Sequence, residues 1–313
     1  YSLDTLRFGS QNFEVLREDL DILRIYEDQA GVFAQFPLST TQRFETTLSG
    51  NYRSFRLDRY PTYYDPFTFQ FIDQGRRERI PLEQDLINIG GYYIQRGGFF
   101  NTGLAYVGDN SYFGMASPLV GYRCRFEIEK YFSGYDFFAT TADYRKYWRL
   151  KPVTIAVRGM HHARYGQSAN NFSPILIGNM GFVHGFYYTQ LDNIASQYNL
   201  TFDHLSGQKL LMGNFEVRLP FTGPEKLAVI KSGYLFSELS AFVDVGVAYD
   251  RFNQISFTKT SPFGTNDLTF KRGVVSTGLA ARINLFGAII VEPYYAIPLL
   301  KGAKGAFGLN LVP

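Results

Sequence analysis

Between residues 121 and 132 the chain reads G-Y-R-C-R-F-E-I-E-K-Y-F, and its charges keep almost entirely to one parity. Tyr122, Cys124, Phe126, Ile128 and Phe132 fall on one side of a two-residue repeat, broken by Lys130 near the strand end. Arg123, Arg125, Glu127, Glu129 and Tyr131 fall on the other. A repeat of two belongs to a β-strand, whose successive side chains point to opposite faces. The same division recurs along the chain. In 41–57, Phe44, Thr46, Leu48, Gly50 and Tyr52 oppose Arg43, Glu45, Thr47, Ser49, Asn51 and Arg53. In 153–164, Val153, Ile155 and Val157 oppose Thr154, Arg158 and Arg164. In 208–220, Leu211, Phe215, Val217 and Leu219 oppose Asn214, Glu216 and Arg218. In 235–250, Leu239, Ala241, Val243 and Val245 oppose Glu238, Ser240 and Asp244. Segments 25–38, 99–108, 135–149, 271–284, 287–298 and 303–312 read as further strands, with a possible extra one at 84–95. Residues 1–24 have no firm period and read as loop plus the start of a strand.

Such a chain is all-β, but two solvents could account for the polar face. Aromatic residues make up 17% of the 313, with 30 Phe, 23 Tyr and 30 Gly. The mean hydropathy is only -0.14. No stretch approaches the roughly 18 consecutive apolar residues of a membrane helix. A transmembrane barrel fits, because only every second residue meets lipid; a soluble sandwich or propeller fits as well. The connections discriminate. Those at 39–40, 150–152, 221–234 and 285–286 are short to medium, and those at 58–98, 165–207 and 251–270 are long. The joints at 133–134 and 299–302 are short members of the long set, and 109–120 is long for its own. Short turns on one rim and long loops on the other are expected of an outer-membrane barrel, not of a sandwich.

The longest connections include one that is not polar. Residues 178–188 read G-N-M-G-F-V-H-G-F-Y-Y. Around them Phe172, Ile175, Leu176, Ile177, Phe182, Val183, Phe186, Tyr187 and Tyr188 require burial, which disfavours disorder. Gly178, Gly181 and Gly185 permit tight turns or close backbone approach. The expectation is a long extracellular loop folded into the lumen of the barrel.

With the strands placed, the chain resembles the C-terminal barrel of the BamA/TamA superfamily, the bacterial surface antigen domain. Val183-His184-Gly185-Phe186 is similar to the family's lumen-loop motif V-R-G-F/Y. Gly213-Asn214-Phe215-Glu216-Val217-Arg218-Leu219-Pro220 resembles the strand that follows it. Phe242-Val243-Asp244-Val245-Gly246 resembles the F-x-D-x-G strand, and Val275-Ser276-Thr277-Gly278-Leu279 with Leu285-Phe286-Gly287 the next hairpin. Five strands follow the motif loop, as in the family. The stretch 109–149 looks most like a Bacteroidota branch in which a periplasmic TolB-like propeller often precedes the barrel. The resemblance covers roughly 25–313 and implies a sixteen-stranded barrel in the bacterial outer membrane. About eleven or twelve strands are legible, so 1–313 reads as the barrel domain without its N-terminal strands and any periplasmic domain. The start at Tyr1 and the lack of a signal peptide agree with a mature chain or a fragment, and Pro313 stands where the family ends in an aromatic residue.

In the family the motif arginine pairs with inward carboxylates on the next two strands. The matching residues here are His184, Glu216 and Asp244, and parity independently turns both carboxylates inward. His184 pins the loop only if it is charged, so a raised pKa is expected. The bland alternative is a surface-loop histidine. The inward charges Arg123, Arg125, Glu127, Glu129, Arg158 and Arg218 either line a selective pore or form a lumen network. Cys124, the single cysteine, excludes an internal disulfide and a cysteine metal site, and reads as a small lipid-facing hydrophobe. His161 and His162 face opposite ways with no partner cluster, so no metal site is expected. A net charge of +3 with no basic run does not suggest nucleic acid. The enzyme fingerprints for phosphate loops, nucleophile elbows and dinucleotides are absent, so neither catalysis nor a cofactor is expected. The function implied is protein translocation, insertion or assembly at the outer membrane, with lipid and other outer-membrane or periplasmic proteins as partners. The alternatives are a passive channel or an anchor barrel for a periplasmic domain or larger complex, and an outer-membrane hydrolase needing a Ser and His on the lipid face.

Overall fold

The computed structural model describes residues 2–8, 11–82, 85–89, 92–178, 182–186, 200–260, 267–300 and 304–312. Twelve principal strands follow one another as an antiparallel meander. They are β1 (Ser2–Phe8), β2 (Gln11–Pro37), β3 (Gln42–Tyr64), β4 (Gly97–Asp109), β5 (Pro118–Phe132) and β6 (Phe137–Leu150). After these come β7 (Val153–Gly166), β8 (Lys209–Gly223), β9 (Phe236–Tyr249), β10 (Val274–Leu285), β11 (Ile289–Pro298) and β12 (Ala306–Val312). Four short pieces, Phe71–Gln74, Glu78–Ile80, Tyr112–Phe113 and Ile230–Lys231, pair at the margins and bring the sheet to sixteen. The fold is an all-β transmembrane antiparallel barrel wall. Among the described residues it is not closed: β1 pairs with β2 and β12 with β11, and each leaves an edge unpaired. An enclosed interior was expected. The inner face is instead covered by connections that fold onto it.

Parity sorts the two faces as the sequence suggests. Phe126, Ile128, Phe215, Val243 and Val245 stand exposed on the outside. On the alternate parity Glu216, Arg218, Glu238 and Asp244 are buried. Cys124 shares the outward parity but is covered by its neighbours, only 7% exposed. Lys130 also points outward. It bonds to Asp136 beyond the strand end and lies 4.3 Å from the Phe138 ring centre, a snorkelling arrangement that takes the charge off the apolar face.

The N-terminal region departs from expectation. Residues 2–8 and 11–24 are not loop but strand, and β2 continues unbroken for 27 residues. At ~3.4 Å per residue that is roughly 90 Å, about three times the ~30 Å hydrocarbon layer. The reason no period is visible there is that this part of the sheet has no apolar side. On one face Arg17 pairs with Asp4, Asp19 and Glu78, and Arg59 with Asp21. On the other Arg24 and Arg56 both pair with Asp58. Charge on both faces means that neither meets lipid. Lower down, β2 and β3 present Phe36, Ala34, Val32 and Ala30 opposite Phe44, Thr46, Leu48 and Gly50, in unbroken register. This outward band ends at the Asp28–Tyr52 pair. Positions 44–52 match the ~9–11 residues of a spanning strand. The hairpin is therefore a membrane wall at its turn and a water-exposed blade above it. The possible strand at 84–95 is real but separate: Leu86–Ile89 and Tyr92–Gln95 form their own two-stranded sheet.

The band makes an asymmetric expectation. Leu48→Arg, in its middle, should cost about 2–4 kcal/mol in bilayer-embedded stability, whereas Ser54→Arg, just above it, should cost about 0–1 kcal/mol. Unfolding titrations in lipid vesicles would measure both; equal costs would place the hydrocarbon elsewhere.

Candidate functional site

The connection between β7 and β8 folds against the inner face. Its described part buries Ile175, Leu176, Ile177, Val183 and Phe186 with Leu205, Leu210, Val274 and Leu300, and Phe182 packs on the cluster. Gly178 is buried as well. Gly181, Tyr187 and Tyr188 lie outside the described residues. Two glycines make the approach possible. Gly185 has φ +81°, a left-handed conformation that costs a side-chain-bearing residue dearly. Gly246 on β9 leaves the space that Ile177 and Val183 occupy; a Cβ there would come within 2.7 Å of Ile177 Cδ1 and 2.8 Å of Val183 Cγ2. The entrance is fixed by Phe172, whose ring centre lies 4.2 Å from the Arg53 guanidinium and 4.7 and 4.9 Å from the Tyr135 and Phe137 rings. The exit is held by Lys271, which donates to Asp203 O and Ser206 O at 2.8 Å each.

Between Val183 and Gly185 sits His184. Its backbone N–H donates to Asp244 Oδ2 at 3.0 Å, and its Nδ1 to the same oxygen at 2.6 Å. Asn214 donates to Asp244 Oδ1 at 2.5 Å, so the fully buried carboxylate has both oxygens occupied. His184 Nε2 lies 3.6 Å from Glu292 Oε1, and the Asn310 amide, 3.3 Å from Nε2, donates to that same oxygen at 3.0 Å. The ring packs between Phe242, tilted at 4.4 Å, and Tyr294, edge-on at 4.7 Å. One loop residue thus contacts β9, β11 and β12.

Of the two carboxylates expected at His184, one is in contact with it. Asp244 holds His184; Glu216 does not. In the β8–β9 register the residue level with Asp244 is Asn214, and Glu216 sits one pleat away, opposite Phe242. Glu216 instead accepts from Arg218 at 2.7 Å and from Arg282 at 3.0 Å. Glu292, three strands further along the meander, supplies the second carboxylate to the imidazole. Arg282 also reaches Glu238 at 3.3 Å and bonds to Glu292. Ser117, from the connection before β5, donates to Glu238 at 2.7 Å. Glu292, Arg282 and Asn310 fall on the inward parity of their strands; what parity does not carry is the curvature that brings non-adjacent strands together.

The other inward charges form local networks. Arg123 pairs with Asp109 at 2.9 Å, and Arg125 with Glu45 and Glu127 at 2.7 Å each. Glu129 accepts from Asn101 at 3.5 Å. Asp143 is shared by Arg145 and Arg158 at 2.8 Å each. Between these networks and the latch lies a cavity of about 640 Å³, lined by Arg145, Arg158, Arg218, Phe182 and Asn214 among others. His161 and His162 do face opposite ways: His161 Nε2 meets the Tyr249 hydroxyl at 3.2 Å, and His162 Nδ1 meets Thr141 at 2.9 Å.

No family model matches the chain, and no curated protein matches it. Among solved structures it is similar to BamA from Haemophilus ducreyi lacking POTRA domains 1-3, with TM-score 0.58 and 15% identity. The match covers 96% of this chain and 57% of that one, so the chain spans little more than half the length of the structure it matches. The fold is that of the BamA barrel. At this identity the likeness speaks for fold, and the roles of the residues rest on their geometry.

His184 lies on the connection, outside the spanning strands. Burial alone would push its pKa down; the hydrogen bonds to Asp244 and Glu292 outweigh burial and hold it at about 9, above its ordinary 6.5. A histidine whose folded pKa is raised stabilises fully below its unfolded value and loses that contribution as pH climbs through the folded one. The loop should therefore be most resistant to protease below pH 6.5 and released as pH rises through about 9. His184→Ala should release it at every pH, with a loss of about 1.5–3 kcal/mol for a charged hydrogen bond. His184→Arg should keep it pinned and abolish the pH dependence, because arginine does not deprotonate in this range. Glu216→Gln should leave protection of the loop unchanged while Asp244→Asn removes it; the opposite order would restore Glu216 as the pin.

Proposed function

We propose that the protein acts in the bacterial outer membrane as a BamA-like barrel that helps translocate, insert or assemble other proteins there. The observation that supports this reading most is the latch itself. An inner loop is held by a titratable residue to three different strands, so its release would loosen β9 from β11 and β12 together. A conformational mechanism needs such a switchable tie. The partners on this reading are outer-membrane lipid and client or accessory proteins of the outer membrane or periplasm. Placement in the Bacteroidota branch with a preceding TolB-like propeller is part of the proposal and rests on the resemblance of 109–149 alone.

One observation favours a second reading. The cavity of about 640 Å³, in whose lining Arg123, Arg145, Arg158, Arg218 and Arg282 outnumber Glu216, Asp244 and Glu292, would suit a channel for anions if the loop withdrew. Purified protein in planar bilayers separates the two. The assembly reading expects little steady conductance from the wild type and a rise in Asp244→Asn; large anion-selective conductance with the latch intact would support the channel. Depletion of the protein in its own host, followed by a census of outer-membrane proteins, tests the first reading directly. At least one other barrel or surface protein should fall several-fold, and unchanged levels of all of them would defeat it.

A further inference from the structure

Just above the outward apolar band, the face of the β2–β3 hairpin that carries Phe44, Leu48 and Tyr52 changes chemistry. Arg24 and Arg56 stand directly opposite each other on neighbouring strands. Like charges in that position repel. They are held by one carboxylate, the fully buried Asp58, at 3.1 Å from Arg24 and 3.0 Å from Arg56. Arg24 also donates to the Tyr60 hydroxyl at 3.1 Å. Arg79 is register partner of Asp58 on the short strand Glu78–Ile80 and so shares this face, and Arg77 approaches Asp58 at 4.0 Å. Three arginines therefore approach one aspartate, a fourth, Arg79, lies level with it on the next strand, and Arg79 has no ion-pair partner among the described residues.

The backbone leaves a notch at the same place. The β3 edge is paired with β4 up to Arg53 and with Glu78–Ile80 from Leu57 onward, so positions 54–56 face no strand. A cavity of about 460 Å³ opens there, lined by Arg56, Arg79 and Arg96 with Phe55, Ile80 and Leu82. Arg96 lies 4.6 Å from the Phe55 ring centre and 3.7 Å from Asp85. The height of this notch is set by the band. Arg56 is four residues beyond Tyr52, about 13 Å along the strand and about 10 Å along the membrane normal for a strand tilted ~40°. The headgroup layer extends ~5–8 Å beyond the hydrocarbon, so the flexible arginine stems bring their guanidinium groups to it.

We propose that this notch binds the phosphate of a membrane lipid headgroup, with Arg56 and Arg79 as the principal ligands and Arg24 and Arg77 completing the positive field. The chemistry is that of guanidinium forks on phosphate oxygens, with Asp58 holding Arg24 and Arg56 in place beforehand. The site rests on the membrane reading of the wall.

The test uses protein in a neutral detergent, titrated with phosphatidylglycerol, lipid A or phosphatidylcholine and read as lipid adducts by native mass spectrometry. The wild type should retain the first two over the third. Arg56→Gln/Arg79→Gln should weaken that retention about thirtyfold, at roughly fivefold per arginine near an anionic surface. Asp58 keeps Arg24 as partner in that variant. Should the double variant misfold, Arg79→Gln alone, which breaks no ion pair, should show about fivefold. Lys231→Gln, on the opposite rim, should change nothing. If inorganic phosphate displaces the lipid at matched concentration, the site is one for free phosphate, and the headgroup assignment falls. Equal retention by wild type and the variants overturns the proposal. Flotation with phosphatidylcholine vesicles is measured on the same samples: failure to float would reject the membrane reading and the site with it, whereas flotation without selectivity rejects the site alone.

Discussion

A single carboxylate organises the interior. Asp244 is fully buried, and a buried charge is costly unless its oxygens are satisfied. Here three donors satisfy it: the His184 backbone, the His184 ring and the Asn214 amide. Two of the three come from the loop. The wall therefore needs the loop as much as the loop needs the wall, because withdrawing His184 would leave a carboxylate in a poorly hydrated interior with one partner. The same logic extends outward. Three cations, His184, Arg218 and Arg282, meet four carboxylates, Glu216, Glu238, Asp244 and Glu292, and the uncharged donors Asn214, Asn310 and Ser117 make up the difference. These groups come from the β7–β8 connection, the connection before β5, and strands β8 to β12. A cluster so assembled fixes the curvature of the C-terminal half of the wall.

Much of this architecture was legible because a strand between two solvents must sort its residues by parity. Glu216, Asp244, Arg158 and Arg218 could each be turned inward from sequence alone, and each is inward. The apolar residues of the loop announced their burial for a similar reason. Two of the failures have a physical cause that parity itself explains. The first 24 residues lost their period because charge on both faces of the blade is allowed in water, and parity is informative only where one face is forbidden to charge. Glu216, expected beside Asp244 as a partner of His184, pairs elsewhere because parity fixes direction and not height. Glu216 and Asp244 share a direction but differ by one pleat, and only the pairing register, with Asn214 level with Asp244, separates them.

The same distinction explains why the small residues sit where they do. Gly246 and Gly185 are not turn residues of the wall. Gly185 lies against Ala296 and Pro298 of β11, and Gly246 lies under Ile177 and Val183 of the connection. A methyl group at Gly246 would meet Ile177 and Val183, and the imidazole of His184 would be lifted with Val183 away from Asp244. The geometry of the hydrogen bond is thus inherited from packing: apolar contacts set the depth of the loop, and the charged contact reports whether that depth has been reached.

Histidine at position 184 then has a consequence that arginine would not. An arginine would remain charged at any pH the cell meets and would hold the loop unconditionally. An imidazole is held in its charged form only by the carboxylates it contacts, since burial works against that charge. Charge and contact are therefore coupled. Once the ring moves away from Asp244 and Glu292, its proton is no longer favoured, and the attraction that would draw it back weakens. A latch built this way has two self-consistent states, docked and charged or withdrawn and neutral, with little to stabilise positions between them. Two-state behaviour of that kind is what a wall needs if its strands are to part and rejoin without covalent chemistry, and it follows from the residue at one position in the loop.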